Sequence, residues 1–199
     1  FIGEQLYKRN NTKRKFINFI IIMSYKNQDH LVEKIYQNII KISRSKFFYI
    51  DYELEDSFET RFDLIIFHSF MIFYYYKIAK IEKSPISQCL FDYMFNDFEN
   101  NLREMGFGDI AVNKKMKLFV RAFYGRLSKY SKSLDSERDF GDKTLLKETI
   151  LNNIFKGNAS KKEHAKMFAE YMIKNINFFI NRSESANLDN HFEFLKFSK

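Results

Sequence analysis

The sequence has no tryptophan, one cysteine, one proline and six glycines in 199 residues. The single Cys89 excludes an internal disulfide framework and any zinc site built on cysteine pairs. It also gives the chain the reading of a protein from a reducing, cytoplasmic compartment. An all-β chain needs a turn signal every ~8–12 residues, and these few glycines and one proline cannot supply them. Long uninterrupted helices are the architecture that remains. No run reaches the roughly 18 uncharged apolar residues that a membrane-spanning helix requires. The best candidate, Leu64 to Tyr76, is thirteen residues between Asp63 and Lys77 and contains His68, which suits a buried core helix. There is no Walker loop, no G-x-G-x-x-G and no G-x-S-x-G. The four histidines, His30, His68, His164 and His191, form no H-x-x-x-H or E-x-x-H pair. With no paired acid and base and no activated nucleophile, the chain reads as a binding protein rather than an enzyme, with no metal and no cofactor.

What is abundant is phenylalanine and tyrosine, 24 and 12 residues, within a 45% hydrophobic composition that can build a core. The net charge of +8 suggests an anionic partner. It is unevenly spread. Residues 1–48 carry 10 basic and 3 acidic groups, 49–112 carry 5 and 12, and 113–199 carry 18 and 10, so acidic and basic surfaces are separable. Lys13-Arg14-Lys15 followed by an apolar stretch superficially looks like a signal peptide, but that stretch is short and holds Asn18. The other reading is a translated upstream extension with its start at Met23. Residues 1–26 are taken as an N-terminal extension, 27–182 as one helical domain and 183–199 as a tail.

Apolar spacing and end signals predict about six helices in a single all-α domain. The first runs from about Gln28 to Ser43. The second, about Phe58 to Ile81, is apolar on nearly all sides through its middle and is expected at the centre. Ser84-Pro85 is a start signal for a third helix reaching Met105, with Gly106 at the left-handed position after it. A fourth is expected from about Asn113 to Ser133 and a fifth from Lys143 to Phe155. Ser160 to Glu163 reads as a capping box opening a sixth, to about Asn181. The tail, with Phe192, Phe194 and Phe197, either docks on the domain or stays loose. His68 reads as a core histidine with its ring N–H satisfied rather than as a haem or metal ligand.

The fourth helix carries the strongest surface signal. Lys114, Lys115, Lys117, Arg121, Arg126, Lys129 and Lys132 are basic, and no acidic residue lies between Asn113 and Ser133. At about 100° per residue, Met116, Phe119, Val120, Phe123, Leu127 and Tyr130 define the core side and the basic residues take the other half. Gly125 lies within that half, where a mid-helix glycine costs about 1 kcal/mol against alanine. Close approach of another backbone is the usual reason for accepting it. The face is either solvated, or paired with the acidic segment around Asp51 to Asp63, or a docking surface for nucleic acid, anionic lipid or an acidic protein. The lack of interleaved exposed aromatics argues against single-strand stacking.

Three motifs carry a resemblance. Arg61-Phe62-Asp63, with His68 and Phe70 following, resembles the R-F-D-x-x-x-x-H-x-F pattern of the ubiquinol–cytochrome c chaperone family. The segment around Asp92, with Gly106-Phe107-Gly108-Asp109 after it, resembles that family's central motif. Ala122-Phe123-Tyr124-Gly125-Arg126 is similar to its A-F-Y-G-R signature. Order and spacing agree over roughly Leu31 to Phe179. Two features depart from the family pattern: Tyr52 to Asp56 lacks the proline-containing turn of bacterial members, and Asn113 stands where a glycine is common. The resemblance implies an assembly chaperone that receives newly made cytochrome b, or another bc1 subunit, early in assembly of the bc1 complex. It also implies a small partner protein and a position at the ribosomal exit region or peripheral to the inner membrane, mitochondrial in eukaryotic relatives. On it, the basic fourth helix would dock ribosomal RNA or anionic lipid, without sequence-specific DNA binding. The reading from the residues alone keeps open a basic helical nucleic-acid- or ribosome-binding module that uses residues 113–133.

Overall fold

The computed structural model describes residues 30–79, 86–136, 143–183 and 193–197. Residues 30–43 are helical and form α1. Then follow α2 (Lys46–Ile50), α3 (Phe58–Ile78), α4 (Ile86–Glu104), α5 (Asp109–Ser136), α6 (Thr144–Asn153), a single 3-10 turn (Ala159–Lys161) and α7 (Lys162–Ser183). No strand occurs among the described residues.

The central helix is α3. Ser57 caps it by accepting the Thr60 backbone N–H. Leu64, Ile66, Phe67, Met71 and Ile72 are fully buried, and burial extends around the whole helix from Phe62 to Ile72. A helix apolar on every side has no solvated face to offer, so its neighbours enclose it: α4, α5 and α7 pack on it, and α6 packs against α5 and α7. His68 lies in this core with no exposed surface. Its Nδ1 is 2.7 Å from the Leu64 carbonyl oxygen and 3.1 Å from Ser43 Oγ. A carbonyl only accepts, so Nδ1 carries the proton. Burial pushes the ring's pKa down to about 4, against the opposing pull of that hydrogen bond. This is the expected core histidine.

The turn from α4 to α5 follows the glycine reading. Gly106 has φ +86°, Phe107 N–H donates to the Leu102 carbonyl, and Gly106 N–H donates to that of Arg103. That pair of bonds is the Schellman closure of a helix end, which requires a left-handed residue at Gly106. The helix ends and their neighbours then depart from the sequence reading at several points. The basic helix α5 begins at Asp109 rather than near Asn113, because the Gly108 carbonyl already accepts the Val112 N–H. Asn158, not Ser160, caps the next element by accepting the Ser160 N–H, and Ser160 Oγ donates to the same oxygen. Met105, expected on the core side, is exposed. The five-residue α2 is too short to show a period in sequence, and the burial of Phe48 holds it in place. The Ser84-Pro85 start signal lies outside the described residues, as do residues 1–29.

Candidate functional site

The exposed face of α5 is the most chemically distinctive surface. At steps of three or four residues, Ile110, Lys114, Lys117, Leu118, Arg121, Tyr124 and Gly125 form one stripe of exposed positions, with Lys129 and Lys132 also exposed. Ile110 is 88% exposed, Leu118 54% and Tyr124 57%. The stripe therefore interleaves cations with apolar side chains that no other described residue covers, and Tyr124 corrects the expectation that no exposed aromatic is interleaved there. Among the described residues, Lys114, Lys117, Arg121, Lys129 and Lys132 make no ion pair. Lys115 instead lies over the Phe107 ring at 4.7 Å. A Cβ built on Gly125 meets nothing within 4 Å, so no backbone among the described residues approaches it. The flat spot at Gly125 is open to solvent.

Arg126, which the helical projection grouped with this basic face, turns inward. Its guanidinium lies 2.5 Å from Asp63 of α3, and the side chain is 22% exposed against 2% for Asp63. The spacing held the signal: Arg126 falls three residues after Phe123 and four before Tyr130, both buried. Lys156, in the turn after α6, reaches the other Asp63 oxygen at 2.5 Å. Sequence reasoning passed over Lys156 because nothing in a solvent-rich turn distinguishes one lysine from another. Burial pushes the Asp63 carboxyl above its ordinary range, and the charges of Arg126 and Lys156 oppose that push.

The three motifs converge here. Phe62 packs on Phe98 and Phe119, and the Arg126 guanidinium lies 5.7 Å from its ring centroid. Phe123 is buried against Phe73 of α3 and Phe91 and Phe95 of α4, while its neighbour Tyr124 faces outward. Arg61 forms a two-point pair with Asp56 at 2.8 and 3.0 Å. Arg103 bridges Glu99 and Asp109, tying the end of α4 to the start of α5 across the Gly106–Gly108 turn. Asp92 accepts from Gln88 on the exposed side of α4 and takes no part in this cluster. His68 sits apart from it, deeper in the core. The motif residues thus brace α5 from beneath and leave its outer face uncovered among the described residues. No group of three or more His, Cys, Asp or Glu residues close enough to hold a metal occurs among the described residues.

Fold and face together define an all-helical protein that presents one long cationic helix, held from below by a buried carboxylate. The family model for ubiquinol–cytochrome c chaperones matches residues 51–194, and the chain belongs to that family. A crystal structure of the Cbp3 homolog from Brucella abortus has the same fold, with a TM-score of 0.73 at 24% identity over 91% of this chain and 97% of that one. No curated protein matches the sequence. No helix among the described residues is long and apolar enough to cross a membrane.

Proposed function

We propose that this chain is a non-enzymatic assembly chaperone that holds newly made cytochrome b during early assembly of the ubiquinol–cytochrome c reductase complex. Membership of the chaperone family supports the general role. The observation that carries the reading further is the α5 face, where cations with no ion pair among the described residues alternate with exposed Ile110, Leu118 and Tyr124. A client leaving the ribosome exposes apolar segments close to anionic RNA and lipid. A surface with both kinds of side chain meets both demands, and an open position at Gly125 admits a partner backbone closely. On this reading the chain works in the cytoplasm, peripheral to the inner membrane, with a small partner protein as its companion. Catalysis has no part in it.

The test is a photo-crosslinking residue at Tyr124 in growing cells, followed by identification of what it traps. Cytochrome b is the expected product, and a deletion strain should lose the bc1 complex while other respiratory complexes persist. Normal bc1 levels in that strain reject the proposal. The second reading, a nucleic-acid- or ribosome-binding module on the same helix, is favoured by the five cations without acidic partners among the described residues. It requires tight, salt-sensitive binding to unstructured RNA that does not depend on Ile110 or Leu118.

A further inference from the structure

The structure holds a second feature that the chaperone family's motifs do not include. Residues 193–197 have no regular secondary structure and lie against α2, α3 and α7. Phe194 stands edge-on to His68 at 5.2 Å and to Phe179 at 5.7 Å. Three residues on, Phe197 lies among Phe48, Tyr52, Phe168 and Tyr171, with ring centroids 5.7, 5.2, 5.0 and 4.4 Å away. Between the two rings, the Leu195 backbone N–H donates to Asn175 Oδ1 at 2.8 Å.

Asn175 has no exposed surface. Its amide is oriented by its own helix, because Nδ2 donates to the Tyr171 carbonyl at 2.8 Å, leaving Oδ1 to accept. A fully buried side chain that presents an acceptor to a passing backbone N–H, between two aromatic subsites, is a device for reading a non-helical peptide. The tail does not satisfy all of it. Phe194, Leu195 and Phe197 are only partly buried. His68 Nε2, the acceptor nitrogen of the neutral ring, is buried without a hydrogen-bond partner among the described residues. A buried acceptor left unpaired is a standing cost that a better-matched segment removes.

We propose that this groove is a binding site for a non-helical, aromatic-rich segment of a protein client, with two aromatic side chains three residues apart, and that residues 193–197 are its resident occupant. The tail is tethered, so it competes at a high effective concentration and keeps the groove covered until a client displaces it. The proposal rests on the chaperone reading for the identity of the competitor, but the groove itself can be tested without any client.

The probe is a fluorescent peptide with the sequence of residues 191–197, titrated by anisotropy into the full-length chain and into its Phe194→Ala/Phe197→Ala variant. The variant should bind the peptide at least tenfold more tightly than the unaltered chain, and a control peptide with alanine in place of Phe194 and Phe197 should bind neither. In the unaltered chain, the Leu195 amide should exchange with solvent at least a hundredfold faster than the amides of Phe168 and Met172. A folded variant that binds the peptide no better than the unaltered chain overturns the proposal. So does a variant that loses its helical signal, or a Leu195 amide as protected as the core of α7, since the tail would then be part of the fold. Failure to trap cytochrome b from Tyr124 removes the proposed function and leaves these results standing.

Discussion

Asp63 on α3 and Arg126 on α5 meet at 2.5 Å with the carboxylate almost wholly buried. They are the third residue of one family motif and the last of another. Removing one partner of a buried pair leaves an uncompensated charge and typically costs 3–5 kcal/mol. Here Lys156 stays behind as a second partner, so Arg126→Met should cost about 2–3 kcal/mol in urea unfolding. Lys156→Met should cost about 1 kcal/mol or less, because that side chain is 58% exposed. Equal losses from the two substitutions would show that Arg126 is not the principal brace.

His68 gives a signed pH dependence. Its pKa falls from 6.5 in the unfolded chain to about 4 in the fold. Between those values the unfolded state binds the extra proton, so stability drops as pH falls through that window. The slope is about 1.4 kcal/mol per pH unit, and the total approaches about 3 kcal/mol below pH 4. Above pH 6.5 this group contributes no slope. A His68→Gln variant should lose this component, so its stability curve should be flatter than that of the unaltered chain between pH 6.5 and 4. Parallel curves would place the ring outside the titrating set.

Two glycines should respond with opposite signs. At Gly106 the left-handed φ of +86° puts the strain in the backbone, since an added Cβ meets nothing within 4 Å. Gly106→Ala should therefore destabilise by about 1 kcal/mol. At Gly125 the space is also open, but the backbone is helical. Gly125→Ala should therefore stabilise by up to about 1 kcal/mol. Denaturant midpoints for the two variants should lie on either side of that of the unaltered chain.

The helix order, the central place of α3 and the Gly106 closure were legible because each is written in local periodicity or in a single backbone requirement. What was not legible depended on contacts distant in sequence. Phe48 can stabilise a five-residue helix only when α3 and α7 are present to bury it. Helical projection assigns a face to a Cα, but Arg126 is long enough to reach inward to a partner on another helix. Lys156 acquires meaning only from Asp63, far along the chain. The tail carried its aromatic residues openly, yet nothing in sequence showed that Asn175 offers an acceptor to Leu195.

The α5 face separates bracing from docking. Lys114, Lys117 and Arg121 have no acidic partner among the described residues and project from an exposed stripe. Reversing all three to glutamate should leave stability within about 0.5 kcal/mol per site, with helical content unchanged. The same variant should lose most of its crosslinking from Tyr124, because the cations that guide an anionic environment onto the face are gone. Arg126→Glu should do the reverse in kind: it sets two carboxylates against each other in a buried site and lowers folded protein before any docking is measured. If the triple reversal unfolds the chain, the face is structural. If it folds and still traps the same partner in the same yield, the cations do not guide docking and the exposed Ile110, Leu118 and Tyr124 carry it alone.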